Sequence, residues 1–241
     1  MLRAIESEAY TANAESLGVI HHSGEVLIHP MSFSIARGEL VGLIGASGSG
    51  KSVLANALMG TVPEGFSLCG RVVIPKDEVA LAAQSGSVLD PLRSVLQLLR
   101  RRQKDDQHLG QCREVVDSFG HCMPHELSGG MAKRVLLAQA KVQGRAFLLA
   151  DEPCCGLDSV ASANLYSELR QMADKGAGVL VISHNLRELS EVADRLLVMD
   201  DGKLIESLTP DHLKQGLGSP QSRALWQALP ENWERQNARV A

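Results

Sequence analysis

The sequence of 241 residues has only five cysteines, at positions 69, 112, 122, 154 and 155, and no Cys-x-x-Cys pair. This cysteine usage is typical of free thiols in a reducing compartment and not of a disulfide scaffold. No uninterrupted apolar run approaches the roughly 18 residues that a membrane-spanning helix needs. The first ten residues, MLRAIESEAY, lack the charged and apolar regions of a signal peptide. We therefore expect a cytosolic chain that reaches a membrane only through a partner.

The sequence also has no excess of positive charge, because its 28 Asp and Glu residues outnumber its 24 Lys and Arg residues and give a net charge of -4. One basic run, residues 100–104, is followed at once by Asp105 and Asp106, as expected for a solvated helix end. Nonspecific nucleic-acid binding depends on clustered cations, so we expect no nucleic-acid partner. The 44% of hydrophobic residues predicts a globular core.

Short apolar runs bounded by turn signals alternate with segments of helical spacing. The runs cover residues 39–44, 79–83, 146–150, 178–183 and 195–200, and the helical segments cover 52–60, 162–173 and 186–194. Apolar runs without alternation are typical of strands that are buried on both faces. The sequence therefore predicts an α/β fold with a mainly parallel sheet.

Two parts of the chain depart from this rhythm. Residues from about 85 to 126 are helical in spacing and polar, and they predict an inserted helical lobe. After Gly202 we expect the sheet to end, so the predicted division is a domain over residues 1–205 and a C-terminal extension over 206–241. In that extension, Trp226 is expected to pack on the domain together with Leu225 and Leu229.

The segment GASGSGKS, residues 45–52, matches the pattern G-x-x-x-x-G-K-[ST] between a predicted strand and a predicted helix. Glycines let the backbone N–H groups turn inward and form an anion cradle at a helix N-terminus. Lys51 is placed to reach the β- and γ-phosphates of a triphosphate, and the Ser52 hydroxyl is placed to bind Mg²⁺. The predicted nucleotide contacts are Gly45, Ala46, Ser47, Gly48, Ser49, Gly50, Lys51, Ser52 and Val53.

Two adjacent carboxylates, Asp151 and Glu152, follow the predicted strand at 146–150. In isolation such a pair could belong to an ordinary turn, but a phosphate-binding loop requires a carboxylate on the metal side of its site. We therefore predict that Asp151 holds Mg²⁺ and that Glu152 is the general base for the attacking water.

A second glycine pair lies at the predicted start of another helix, in HELSGGMAKRVLLAQA, residues 125–140. Its residues Ser128-Gly129-Gly130, here called the signature segment, form a second predicted anion site. One triphosphate needs only one such loop, so the second site requires an explanation.

With these motifs in this order, residues 15 to about 205 resemble the ATP-binding cassette (ABC) ATPases, in which the signature segment of one subunit closes over the ATP of its neighbour. The resemblance implies a P-loop NTPase core with N-terminal antiparallel β elements, ATP and Mg²⁺ as cofactors, and a second ABC ATPase subunit, identical or related. It also implies roles for three residues. Gln84 contacts Mg²⁺ and the reacting water, Asp158 crosses the dimer interface, and His184 contacts the γ-phosphate.

The chain departs from the family pattern at the adenine site. The family stacks adenine on an aromatic residue, but residues 18–26, GVIHHSGEV, contain none. This departure leaves two alternatives for adenine binding. Either His21 or His22 stacks on adenine in place of the aromatic residue, or the adenine is held loosely. Met131 replaces the usual signature glutamine, and Cys154 and Cys155 replace small polar residues. No phosphate ligand is lost, so we expect an active ATPase.

Three segments resemble the peptide and nickel importer branch of the family. They are LSGGM, which is followed two positions later by a basic residue, QSGSVLDPL, and SPQSRALWQALPENW. Members of that branch often carry a cysteine cluster in the tail, but no cysteine follows Cys155, so no iron–sulfur cluster is expected. The resemblance implies an ATPase that powers uptake of a peptide, nickel or a metal chelate. It would act through integral-membrane permease subunits, as a peripheral protein on the cytoplasmic face of the inner membrane.

Two other functions remain open. One is an accessory ATPase of a phosphonate-cleaving enzyme complex, which resembles the same branch. The other is an ABC factor that acts on ribosomes or DNA, although such factors usually join two cassettes or add long coiled coils, and this chain has neither.

Overall fold

The computed structural model describes residues 11–74 and 78–229, and the predicted buried strands form one sheet in it. Its strand order is β5-β6-β7-β3-β8-β9, and every neighbouring pair is parallel except β8 with β9. The strands are β3 Leu40–Gly45, β5 Val79–Ala82, β6 Phe147–Asp151, β7 Gly178–Ile182, β8 Arg195–Asp200 and β9 Lys203–Leu208. Since β3 lies between β7 and β8, the segments that follow β3, β6 and β7 meet at one edge of the sheet.

Helices pack on both faces of this sheet and build the lobe. They are α1 Lys51–Leu58, α2 Val95–Arg102, α3 Asp106–Gly110, α4 Arg113–Phe119, α5 Gly129–Lys141, α6 Ser159–Asp174, α7 Leu186–Val192, α8 Pro210–Lys214 and α9 Pro220–Gln227. Helix α1 packs on the face that also carries the N-terminal sheet. Residues 85–126 contain helices and no strand, as predicted for the inserted lobe. The lobe has its own apolar core, in which Val95, Leu99 and Cys112 pack against Val135 and Leu136 of α5. Helix α5 therefore connects the lobe to the sheet.

A second, antiparallel sheet is formed by the N-terminal part of the chain, as the family resemblance implies. Its order is β2-β1-β4, with β1 Thr11–His21, β2 Val26–Ala36 and β4 Phe66–Val73. Buried side chains such as Leu17 and Ile28 pack in one cluster with Leu43 and Ile182 of the central sheet. This packing holds the small sheet against the strands that carry the site.

The expectation that the sheet ends at Gly202 is wrong, because β9 continues it as an antiparallel edge strand. Asp201 and Gly202 have positive φ angles of 45° and 68° and return the chain along β8. An Asp-Gly pair between two apolar strands is a hairpin signal, and the interpretation as a sheet end overlooked it. The division between residues 205 and 206 stays a prediction, and β9 runs across it.

Beyond β9, Trp226 packs against the main core with Leu225 and Leu229, which confirms their predicted packing. Residues 1–10 and 230–241, which include Tyr10 and Trp233, lie outside the described residues.

Candidate functional site

The loop at residues 45–50 joins β3 to α1 and has the glycine geometry that the sequence predicts. Gly48 and Gly50 have φ angles of 82° and 98°, which disfavour residues with a side chain. A Cβ on Gly50 would lie 2.6 Å from Ile28 Cδ1, and one on Gly45 would overlap the carbonyl oxygen of Met199. Gly48 faces open space. The loop is therefore packed tightly on the protein side and open on the side where a phosphate would bind.

Lys51 is the first residue of α1, and its side chain folds back over this loop. Its Nζ donates to the carbonyl oxygens of Gly45 and Ala46, both at 2.9 Å, and lies 3.3 Å from Ser49 Oγ. Burial lowers the pKa of Lys51, while the negative charges of Glu152 and Asp151 raise it. The P-loop lysine and the two predicted carboxylates thus belong to one electrostatic site.

Asp151 ends β6 and carries a partly buried carboxylate. Within the described residues its Oδ1 is buried and has no hydrogen-bond partner. Burial raises the pKa of Asp151, the charge of Glu152 raises it further, and Lys133 and Lys51 oppose the shift. A buried carboxylate oxygen without a donor fits a Mg²⁺ ligand, since Mg²⁺ binds oxygen ligands.

Glu152 and His184 meet directly, although they follow different strands. Glu152 Oε2 lies 2.7 Å from His184 Nδ1, and the Glu152 N–H donates to the Ile182 carbonyl oxygen at 2.9 Å. The Glu152 side chain is 13% exposed and that of His184 is 68% exposed. Glu152 also has a φ of 46°, an uncommon conformation for a residue with a side chain. The predicted base is therefore largely buried, bonded to an exposed histidine, and held in a constrained backbone geometry.

Gln84 follows β5, and its side chain is exposed. Its carbonyl oxygen accepts a hydrogen bond from Lys133 Nζ at 2.5 Å, and the Glu152 carbonyl oxygen accepts from the same atom at 2.7 Å. The sequence marked Lys133 only as a feature of a subfamily and did not predict this contact. The sequence offered no signal for it, because the same helix also carries Arg134 and Lys141.

The signature segment lies at the start of α5, as predicted. Ser128 is the N-cap residue, and its Oγ accepts from the Met131 N–H at 3.3 Å. Asp158 caps α6 in the same manner, accepting from the Ala161 N–H at 2.8 Å. Within the described residues, neither Ser128 nor Asp158 is hydrogen-bonded to residues 45–52. The chain alone therefore does not bring its two predicted anion sites together.

The residues proposed to replace the adenine-stacking aromatic lie at the end of β1. The rings of His21 and His22 are stacked with centroids 6.0 Å apart, and His21 packs edge-on against Phe66 at 4.8 Å. Sequence reasoning missed Phe66, because it is distant in the chain and reaches His21 only through the pairing of β1 with β4.

The fold and the phosphate loop define a P-loop nucleotide-binding domain. Comparison with known proteins identifies the family of P-loop proteins to which the chain belongs. A family model described as ABC transporter matches residues 28–155. The oligopeptide transport ATP-binding protein OppD of Lactococcus lactis subsp. cremoris (strain SK11) is 30% identical over 236 residues, covering 84% of this chain and 70% of OppD. The lipopolysaccharide export system ATP-binding protein LptB of Escherichia coli (strain K12) is also 30% identical, covering 80% of this chain and 89% of LptB.

The solved structure of an ATP-binding subunit of an ABC transporter has the same fold, with a TM-score of 0.75 at 20% identity. The match covers 89% of this chain and 97% of that one. The chain belongs to the ABC transporter ATP-binding family, and it is an ATPase subunit of that type. No helix in the described ranges, residues 11–74 and 78–229, is long and apolar enough to cross a bilayer.

Proposed function

We propose that this chain is the ATP-hydrolysing subunit of an ABC importer that takes up a peptide, nickel or a metal chelate. The proposal rests on the meeting of Lys51, Asp151 and the Glu152–His184 pair at one edge of the sheet. The similarity to OppD supports a peptide as cargo. LptB, named as part of an export system, has the same 30% identity to this chain as OppD. The import direction therefore depends on the segments LSGGM and QSGSVLDPL, which resemble the peptide and nickel importer branch.

ATP would bind with its phosphates in the loop at residues 45–52. Lys51 would leave the carbonyls of Gly45 and Ala46 and donate to the β- and γ-phosphates instead. Water then attacks the γ-phosphorus, Glu152 accepts its proton, and the bond to the bridging oxygen breaks to give ADP and phosphate. His184, in contact with Glu152, would hold the base and contact the γ-phosphate.

Mg²⁺ would be held by Ser52, Gln84 and Asp151. The unpartnered Asp151 Oδ1 supports this assignment, and hydroxyl, amide and carboxylate oxygens suit the ion. When bound, Mg²⁺ neutralises charge that develops on the phosphate oxygens.

The second ATPase subunit, identical or related, explains the signature segment. Its exposed position at the start of α5, without a hydrogen bond to residues 45–52 among the described residues, supports a role in closing the neighbour's ATP site. Asp158, exposed at the start of α6, would lie at the same interface.

The permease would bind near the start of the helical lobe, on the cytoplasmic face of the inner membrane. Val88 and Leu92 follow Gln84 closely and are 58% and 84% exposed. Single exposed apolar residues are common, but two of them beside a predicted active-site residue suit a surface that couples hydrolysis to transport. The lobe at residues 85–126 would transmit the motion.

Calorimetry tests the ATP site. Lys51→Ala removes the cation that faces the β- and γ-phosphates, so ATP binding should be lost. Lys203→Ala, which removes an exposed lysine from β9, should bind ATP as the parent does. ATP affinity at the parent level in Lys51→Ala would refute the proposed site.

Reconstitution tests the direction of transport. The membrane subunits that copurify with the chain in detergent would be placed in liposomes with the ATPase on the outside. Import predicts that ATP added outside drives labelled peptide out of the lumen, toward the side of the ATPase. Movement into the lumen would identify an exporter, and no membrane partner at all would refute the transport proposal.

A further inference from the structure

Lys133 joins two segments of the site through its side chain. It lies in the second turn of α5, and its Nζ donates to the carbonyl oxygens of Gln84 and Glu152 at 2.5 Å and 2.7 Å. These acceptors follow β5 and β6, which are neighbouring parallel strands. One ammonium group therefore links the ends of two strands to the helix that begins with the signature segment.

Lys133 differs from a surface lysine in that its side chain is partly removed from solvent. This burial lowers its pKa against the opposing influence of Cys155, Cys154 and Glu152. Removing a cation from water is unfavourable unless its donors are satisfied. Lys133 Nζ donates to main-chain carbonyls, so these contacts fix the backbone and do not occupy the side chains of Gln84 and Glu152.

Glu152 depends on such support because its backbone conformation is uncommon. Its φ is 46°, and its N–H, carbonyl and carboxylate groups contact Ile182, Lys133 and His184 respectively. Conformations of this kind persist only when surrounding contacts hold them. Loss of the Lys133 contact would leave the Glu152 carbonyl without this donor and would free the backbone to relax.

We propose that Lys133 is a positioning residue for hydrolysis, holding Gln84 and Glu152 so that both side chains face the same water. Since Lys133 belongs to the helix proposed to close the neighbour's ATP site, the geometry of the base also depends on the position of that helix. The inference rests on the proposed function of Gln84, Glu152 and the signature segment.

Steady-state ATPase assays with three variants test this role. Lys133→Met keeps the length of the side chain and removes the donors, while Lys133→Arg keeps charge and donors. Lys141→Met is the matched control, because Lys141 lies on the same helix and its Nζ bonds instead to Glu168 at 2.9 Å. Calorimetric ATP affinity and the melting temperature would be measured for each protein.

Misplacing the base should slow chemistry without weakening ATP binding. Lys133→Met should lower kcat by about 10- to 100-fold with KM and ATP affinity within about twofold of the parent. Lys133→Arg should recover most of that loss, and Lys141→Met should keep the parent kcat. A folded Lys133→Met protein with the parent kcat, or an equal loss in Lys141→Met, would refute the inference.

A second variant distinguishes loss of catalysis from loss of folding. Lys133→Gln keeps one amide donor but is too short to reach both carbonyls, so it should fold and show the same loss of kcat. If neither Lys133→Met nor Lys133→Gln folds while Lys141→Met does, Lys133 is a structural residue and the inference is wrong. Failure of the proposed site roles is distinguishable, because Glu152→Gln would then hydrolyse ATP at the parent rate, whatever the result for Lys133→Met.

Discussion

Substitution of Gly45 by alanine tests whether the phosphate loop depends on close backbone packing. The new Cβ would overlap the Met199 carbonyl oxygen and would lie 2.7 Å from Ser49 Oγ and 3.2 Å from the Met199 carbonyl carbon. Non-bonded carbon atoms pack at about 3.5 to 4.0 Å, so β8 or the loop must shift. Met199 lies in β8, between β3 and β9, and is 1% exposed, which leaves little room for that movement.

The cost of such overpacking is about 1 to 3 kcal/mol, which corresponds to a fall in melting temperature of roughly 2 to 10 °C for a chain of this size. ATP affinity should fall as well, because Gly45 is the first residue of the predicted phosphate-binding loop and a shift there would displace its backbone N–H groups. Differential scanning calorimetry and ATP titration measure the two effects. Gly110→Ala is the matched control, since a Cβ there meets nothing within 4 Å and lies in a helix. Unchanged stability and ATP affinity in Gly45→Ala would refute the packing argument.

Three further predictions follow from the site. The folded-state pKa of Asp151 is raised, so its ionisation destabilises the ligand-free fold as pH rises through that pKa. Without Mg²⁺ and ATP, Asp151→Asn should therefore have a higher melting temperature than the parent at neutral pH. The difference should vanish at about pH 4, where the carboxyl group is protonated. A difference that grows toward acid pH would contradict this. Tyr166→Phe removes a buried hydrogen bond of 2.8 Å to Ser183 and should lower the free energy of unfolding in urea by about 1 to 2 kcal/mol, whereas no change would show that the bond contributes nothing. Leu92→Gln should reduce copurification with the permease while the ATPase activity of the separate chain is unchanged, and full copurification would exclude Leu92 from the docking surface.

The sequence predicts the central sheet well because its strands are buried on both faces. Residues 195–200, for example, form β8 with the predicted bounds, and Asp151 ends β6 as the carboxylate motif requires. The phosphate loop is equally predictable, since its glycines satisfy local backbone demands at Gly48 and Gly50.

Features that depend on contacts between distant segments were not predicted. The edge strand β9 is a different case, because the Asp201-Gly202 turn before it is a local hairpin signal that the expectation of a sheet end overlooked. The Lys133 contacts could not be predicted either, because helical spacing gives the face of a side chain and not the atoms it meets. The contact between Glu152 and His184 arises only when β6 and β7 pair.

The central claim is that two subunits share each ATP site, with the signature segment of one closing over the phosphate loop of the other. Glu152→Gln keeps the shape of the base but cannot accept a proton, so it should trap ATP without turnover. Ser128→Arg adds a bulky side chain at the N-terminus of α5, where the segment would approach the γ-phosphate of the neighbour.

The decisive measurement is light scattering of the Glu152→Gln protein with ATP and Mg²⁺, alone and in complex with its permease, with and without Ser128→Arg. We predict ATP-dependent association of two ATPase subunits for Glu152→Gln. The double variant should bind ATP as a single subunit and fail to associate. Equal association of the double variant would contradict the shared site and the account built on it.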